Sequence, residues 1–216
     1  MTNPIVIFDM DGTITDSAPL IMESINYTLV KLGRSAQLPA QLPRWVGPPL
    51  AVSFRDYAGF SADEVAVAIA TYREHYAKHM FDVPLFPGIK ELLENFQKAG
   101  VPLAIATSKL ERLALPIVEE LGLSKYFSYV CGAKDDGVNH AKADLVQEVL
   151  EFFRSQGTKF DCAYMIGDRI YDIEAGKANG IYTIGVSWAG SDLSEFAEAT
   201  YIARTPADIF SFVLGK

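Results

Sequence analysis

The sequence predicts an α/β fold: a parallel β-sheet covered by helices on both faces, with an all-helical insert directly after the first strand. Three observations lead there. Short apolar runs rich in β-branched residues alternate with segments of helical periodicity, the pattern of repeated βαβ units. The stretch from residue 16 to residue 82 breaks that rhythm, offering helical patterns and no convincing strand. The first apolar run ends on an acidic turn containing glycine, Asp9-Met10-Asp11-Gly12-Thr13, which reads as the carboxyl end of a buried strand.

The first strand is expected over Pro4 to Phe8. The insert follows, with helices at Ala18 to Lys31, Leu50 to Tyr57 and Ala62 to His79, and with Pro39, Pro43, Pro48 and Pro49 making a stiff loop inside it. Pro84 and the pair Pro87-Gly88 mark the return to the sheet. Helices are then expected at Ile89 to Lys98, Glu111 to Leu121, Ala141 to Phe153, Asp172 to Ala178 and Ala207 to Val213. In the third of these, Leu145, Val149 and Phe152 fall at helical spacing. The remaining strands are expected at Pro102 to Ala106, Tyr129 to Cys131, Cys162 to Ile166, Tyr182 to Gly185 and Thr200 to Ile202. Gly100, Gly122 and Gly180 follow helices, where a left-handed cap is wanted. The domain reading is therefore a sheet domain of residues 1–15 and 83–216 and a helical domain of residues 16–82.

Composition narrows the function classes. With 50% apolar and 21% charged residues in 216, the chain is neither disordered nor a disulfide-stapled miniprotein. Its 19 basic and 27 acidic residues give a net charge of −8, a field that repels nucleic acid polymers and anionic membranes. No apolar run reaches the roughly 18 residues of a membrane helix. The N-terminal stretch meets Asp9 and Asp11 too soon for a signal peptide, so a cytoplasmic location is expected. Cys131 and Cys162 sit in apolar segments and are expected to be reduced thiols. Monomer and homodimer both remain open.

In open α/β sheets ligands bind beyond the carboxyl ends of the strands. Those ends here carry Asp9 and Asp11, then Thr107 and Ser108, then Gly167-Asp168, while Lys142 opens a helix and supplies a cation, with Lys134 as its rival. In this order and spacing, over residues 5 to 172, the chain resembles the haloacid dehalogenase superfamily of phosphohydrolases. Asp9 to Thr13 resembles the first motif of that family, Thr107-Ser108 the second, Lys142 the third, and Gly167-Asp168-Arg169-Ile170-Tyr171-Asp172 the fourth. The third motif commonly reads Lys-Pro, whereas Lys142 is followed by Ala143. That departure, the segment from Gly132 through Asp136-Gly137, the pair Ser108-Lys109 and the Gly-Asp-Arg form of the fourth motif resemble the phosphoglycolate-phosphatase-like and 5′-nucleotidase-like subgroup.

The resemblance implies a Rossmann-like core with a C1-type helical cap inserted at residues 16–82. It also implies a Mg²⁺-dependent phosphatase that hydrolyses a small phosphate monoester, phosphoglycolate-like, through an aspartyl-phosphate. Asp9 is then the nucleophile and Asp11 the general acid and base. Two carboxylates facing a phosphate would repel it, so a divalent cation with hard oxygen ligands must bridge them. The resemblance assigns that metal to Asp9, the backbone carbonyl of Asp11, and Asp168, with Asp172 holding it directly, through water or through Asp168. Thr107 with Ser108 beside it, together with Gly12, Thr13 and Lys109, falls on the substrate side, and Lys142 neutralises transition-state charge.

Plainer readings stand beside these. Asp172 is also a favourable helix-start carboxylate, and Thr107 or Ser108 also a helix cap. Arg169 is open between a structural and a substrate-side charge, and Arg44 to Pro49 between a rigid connector and a substrate-facing loop. His75 and His79 have no third ligand and are expected at the surface or in packing, as Tyr72, Tyr76 and Phe81 are in the core; His140 is placed to approach substrate. Alternative activities are a 5′-nucleotidase, a phosphomutase, and a phosphonate hydrolase, although Lys31, the only lysine before Lys78, lacks the surroundings of a desolvated amine. A phosphorelay receiver would place its phosphorylated Asp on a later strand, and a catalytically silent binding protein would lack a member of the set.

Overall fold

The computed structural model describes residues 3–134 and 141–215. The chain divides into two compact units, one of Met1–Asp16 with Leu85–Lys216 and one of Ser17–Pro84. The first unit holds a parallel sheet of β1 (Pro4–Phe8), β2 (Leu103–Leu110), β3 (Phe127–Ala133), β4 (Cys162–Gly167), β5 (Tyr182–Val186) and β6 (Tyr201–Ala203), in the spatial order β3-β2-β1-β4-β5-β6. The order reverses beside β1, which makes the carboxyl ends of β1 and β4 the switch point where such sheets open a crevice.

β1 is an unbroken apolar run because both of its faces are covered. Ile5, Val6, Ile7 and Phe8 are all 0% exposed. Alternation along the strand sends Ile5 and Ile7 into a cluster with Leu145, Val149 and Phe153 of α6 (Lys142–Ser155). Phe8 meets Phe96 of α4 (Ile89–Lys98) edge to face, with ring centroids 6.4 Å apart. α5 (Glu111–Glu120), α7 (Ile170–Ala178) and α8 (Pro206–Leu214) complete this unit. Registration is what matters for function: Phe8 lies opposite both Ile105 and Ile166, so β1 and β4 end side by side while β2 passes beside them and runs on.

The element boundaries differ from the sequence reading where polar residues continue an element. β2 runs past Ala106 through Thr107, Ser108 and Lys109, with a register shift between Thr107 and Leu110. Such a bulge re-aims the strand at a site rim. Gly132 permits it, since a Cβ there would lie 2.7 Å from Glu111 Cα and 2.8 Å from Lys109 O. α7 starts at Ile170, two residues before the expected Asp172, and a 3₁₀ turn at Leu193–Phe196 carries no apolar periodicity to read.

The second unit is helical: α1 (Ala18–Lys31), α2 (Leu50–Ala58) and α3 (Ala62–His79). α3 opens with a capping box, in which Ser61 Oγ accepts from Glu64 N–H and Glu64 Oε2 accepts from Ser61 N–H. The prolines of the stiff segment start two 3₁₀ turns, Pro39–Gln41 and Pro43–Trp45. Trp45 is 1% exposed and packs edge-on against Phe54 and Tyr57 with centroids 5.7 and 5.3 Å away, so this segment anchors the unit's core. Tyr72 and Tyr76 are buried as expected, whereas Phe81 lies beyond the end of α3 and is exposed. His75 stacks on Tyr27 and meets Ser24 Oγ at 3.0 Å, a packing role. Among the described residues no helix is long and apolar enough to cross a membrane.

Candidate active site

The turn after β1 is built to bring carboxylates together. Asp9 N–H donates to Ile166 O at 2.8 Å, tying the end of β1 to β4. Met10 N–H donates back to Asp9 Oδ1 at 2.7 Å, and Met10 O accepts from Ile14 N–H, Thr15 N–H and the Thr15 hydroxyl, closing the turn. Gly12 has φ +80°, and a Cβ on it would lie 2.3 Å from Asp168 Oδ2. Glycine is thus required there twice, for conformation and for space.

Asp168 and Asp172 come from β4 and α7. Gly167 lets the helix come back over the strand end, because a Cβ at that position would lie 2.0 Å from Asp172 Cγ. Asp172 Oδ2 accepts from Arg169 N–H at 3.1 Å, half of a helix cap. Its other oxygen lies 2.9 Å from Lys142 Nζ, which also meets Asp9 Oδ1 at 2.7 Å. Asp172 is therefore at once a helix-cap carboxylate and a member of the acidic cluster. Oxygens of Asp9, Asp168 and Asp172 all lie within 4.8 Å of one another.

Three carboxylates against one ammonium leave two negative charges in a place where Asp9, Asp168, Asp172 and Lys142 are each less than a tenth exposed. The titration of the groups reflects this. Burial pushes Asp9 up to about 6 despite Lys142, with Asp172 and Asp11 adding to the rise. Burial, then the charges of Asp172 and Asp9, hold Asp168 well above the usual carboxylate value. Burial works against the Lys142 ammonium, but Asp172 and Asp9 outweigh it and keep the lysine charged. Two surplus negative charges on hard oxygen donors are the complement of one divalent cation of the Mg²⁺ type. Asp11 adds a buried Oδ1 that has no hydrogen-bond partner among the described residues.

The other expected residues are distributed around this cluster. Asp11 Oδ2 pairs with Lys109 Nζ at 2.8 Å. Thr13 is fully buried, its hydroxyl 3.5 Å from Asp168 Oδ1. Thr107 is buried at the end of β2 and its Oγ1 accepts from Lys109 N–H at 3.2 Å. It does not cap α5, whose N-cap is Leu110. Ser108 is exposed. His140 lies outside the described residues.

Lys134 is committed elsewhere, lying 2.5 Å from Glu111 Oε2 and 3.5 Å from Glu148 Oε1. Glu111 and Glu148 surround Cys131, whose thiol burial pushes up to about 12, and Tyr129 OH donates to Glu148 at 2.6 Å. That second acidic group carries its own cation and donors. One brace escaped the sequence reading: Trp188 Nε1, beyond the end of β5, donates to Thr13 O at 3.2 Å. Nothing local marks it, since its partner is 175 residues away.

The family model described as haloacid dehalogenase-like hydrolase matches residues 6–186. The phosphoglycolate phosphatase of Mesorhizobium japonicum is 31% identical over 96% of this chain and 93% of its own length. The tyrosine-protein kinase PtkA of Mycobacterium tuberculosis is 36% identical over 91% of this chain, and the match spans 66% of that kinase. The crystal structure of a predicted phosphatase from Clostridium acetobutylicum superposes with a TM-score of 0.88 at 35% identity, covering 100% of both chains.

Proposed function

The chain belongs to the haloacid dehalogenase-like hydrolases, and we propose that it is a phosphatase acting on a small phosphate monoester of the phosphoglycolate type, with Asp9 as nucleophile and Mg²⁺ as cofactor. The observation that carries this reading is the cluster at the ends of β1 and β4: three buried carboxylates, one ammonium, and a fourth carboxylate, Asp11, two residues beyond the nucleophile.

A carboxylate oxygen of Asp9 attacks phosphorus; the new O–P bond forms as the bond to the substrate's alkoxide breaks. Asp11 gives the departing oxygen a proton. Water then attacks the aspartyl-phosphate, Asp11 takes up the water's proton, and the acyl phosphate bond breaks to release inorganic phosphate and regenerate Asp9. Lys142 and the Met10 N–H both engage Asp9 Oδ1, which fixes the rotation of the carboxylate before substrate arrives. The Lys109 ammonium lies against Asp11 and is placed to follow the phosphate charge as it develops. Asp9, Asp168 and Asp172, with the main chain at Asp11, would hold the cation, which when bound offsets the repulsion between carboxylates and phosphate.

The test is phosphate release from an aryl phosphate and from a panel containing 2-phosphoglycolate, nucleoside 5′-monophosphates and sugar phosphates. Release is expected with Mg²⁺, none with excess chelator, and none from Asp9→Asn. Full activity in that variant or in chelator overturns the reading. Transfer to a hydroxyl acceptor in place of water would redirect it to a mutase or kinase.

A further inference from the structure

We infer that Glu195, far along the chain from the catalytic motifs, is a positioning residue for the metal-facing carboxylates; the inference rests on the divalent-cation reading above. Asp168 and Arg169 form the whole connection between β4 and α7, so the direction of the Asp168 side chain depends on how that two-residue turn is held. Two carboxylates hold it. Asp172 accepts from Arg169 N–H within the helix cap, and Glu195 Oε2 accepts from the next amide, Ile170 N–H, at 2.9 Å. The same Glu195 oxygen accepts from Arg169 Nε at 3.1 Å. Consecutive residues of the turn are therefore clamped from outside the cluster, at both backbone and side chain.

The clamp is itself anchored. Glu195 lies in the turn Leu193–Phe196, which Asp192 caps by accepting from Ser194 N–H at 2.9 Å. The adjacent Phe196 is 1% exposed and sits so close over β5 that a Cβ at Gly185 would lie 2.5 Å from its ring. Phe196 thus fixes the turn to the sheet, and the turn fixes Glu195. A carboxylate one step removed from a metal ligand contributes through ligand orientation, and losing such a partner typically weakens metal binding by roughly 10- to 100-fold. This gives Arg169 a partner that the sequence did not show.

The experiment is calorimetric titration of MgCl₂ and MnCl₂ into the full chain, comparing the unaltered protein with Glu195→Ala, Glu195→Gln and Arg169→Met. Each is also melted in chelator and assayed at saturating metal. Glu195→Ala is expected to raise the metal Kd by roughly 10- to 100-fold, to leave substrate KM at saturating metal unchanged, and to melt normally in chelator. Glu195→Gln keeps an oxygen for Ile170 N–H and is expected to recover most of the affinity. Should Glu195→Ala not fold, Arg169→Met and Glu195→Gln decide, since the inference requires weakened metal binding in the first and a smaller loss in the second. Unchanged metal Kd in the foldable variants overturns the positioning role while leaving the phosphatase reading intact. No metal uptake by the unaltered protein overturns both.

Discussion

Replacing Lys142 by methionine removes the one ammonium of the acidic cluster while keeping an unbranched stem of similar length, and its effect follows from the distances. Nζ lies 2.7 Å from Asp9 Oδ1 and 2.9 Å from Asp172 Oδ1. At an effective dielectric of about 20, each contact is worth roughly 6 kcal/mol of gross attraction. Desolvation of the buried ions cancels much of this, and breaking a buried pair by deleting one partner leaves a net loss of about 3–5 kcal/mol. The loss should depend on pH. Asp9 titrates at about 6 with the lysine present and higher without it, so above that range the variant carries an Asp9 charge that no ammonium balances, whereas at pH near 5 Asp9 takes up a proton and the gap narrows. Urea unfolding in chelator at pH 7.5 and pH 5 reads this directly, provided the denaturant slope is unchanged. Added Mg²⁺ should stabilise the variant at pH 7.5, and its phosphatase activity should fall by at least about 100-fold. Equal stability of variant and parent at pH 7.5, or a gap that does not change with pH, would refute the charge accounting.

Other outcomes follow from the same geometry. In chelator the parent protein should lose stability as pH rises from 4 to 7: the folded-state value of Asp9, about 6, lies above the ordinary 3.8. The stability contributed by its protonation is therefore complete below 3.8, disappears as pH passes 6, and amounts to about 3 kcal/mol. Asp168 shifts in the same direction, and saturating Mg²⁺ should flatten the profile in denaturant titrations. Asp9→Asn should abolish phosphate release yet raise the melting temperature in chelator, because it removes one of the mutually repelling charges. Gly167→Ala drives its Cβ into Asp172 Cγ, 2.0 Å away, so metal affinity and activity should both collapse while Gly180→Ala, with nothing within 4 Å, costs only backbone strain. Trp45→Ala should destabilise the helical unit by about 3–5 kcal/mol, seen as an earlier transition by circular dichroism.

The parts of this site that the sequence exposes are those whose chemistry and secondary structure coincide. Asp9 and Asp168 each terminate an apolar run, and a buried strand ending in a carboxylate is an unusual pattern that announces itself. Lys142 was legible because it opens a strongly periodic helix, and the structure brings it to Asp9 while Lys134 goes to Glu111. The helical boundaries Ala18–Lys31, Ala62–His79 and Ile89–Lys98 were readable from caps and periodicity. What stayed hidden depends on distance along the chain. The extension of β2 is polar and bulged, so it has no alternation to detect. Trp188, Gly132 and Glu195 act through partners 21 to 175 residues away, and no local pattern encodes such a pairing. Phe81 was misplaced because helical spacing was extended beyond the true end of α3 at His79.

The two glycines at the cluster, Gly12 and Gly167, show how like charges are gathered. Two of the carboxylates are met by backbone approaching more closely than a side chain would allow: Gly12 against Asp168 and Gly167 against Asp172. Neither of these approaches stabilises the metal-free fold, since they force together groups whose ionisation burial opposes. The stability must come from elsewhere in the unit, and the fully buried strand β1 with the α6 face of the sheet supplies it. The rigid sheet holds the repulsion in place, and a divalent cation entering the cluster would release it. Cation binding and folding would then be linked, so cation-dependent stability at neutral pH is the property that separates a working site of this kind from an accidental gathering of acids.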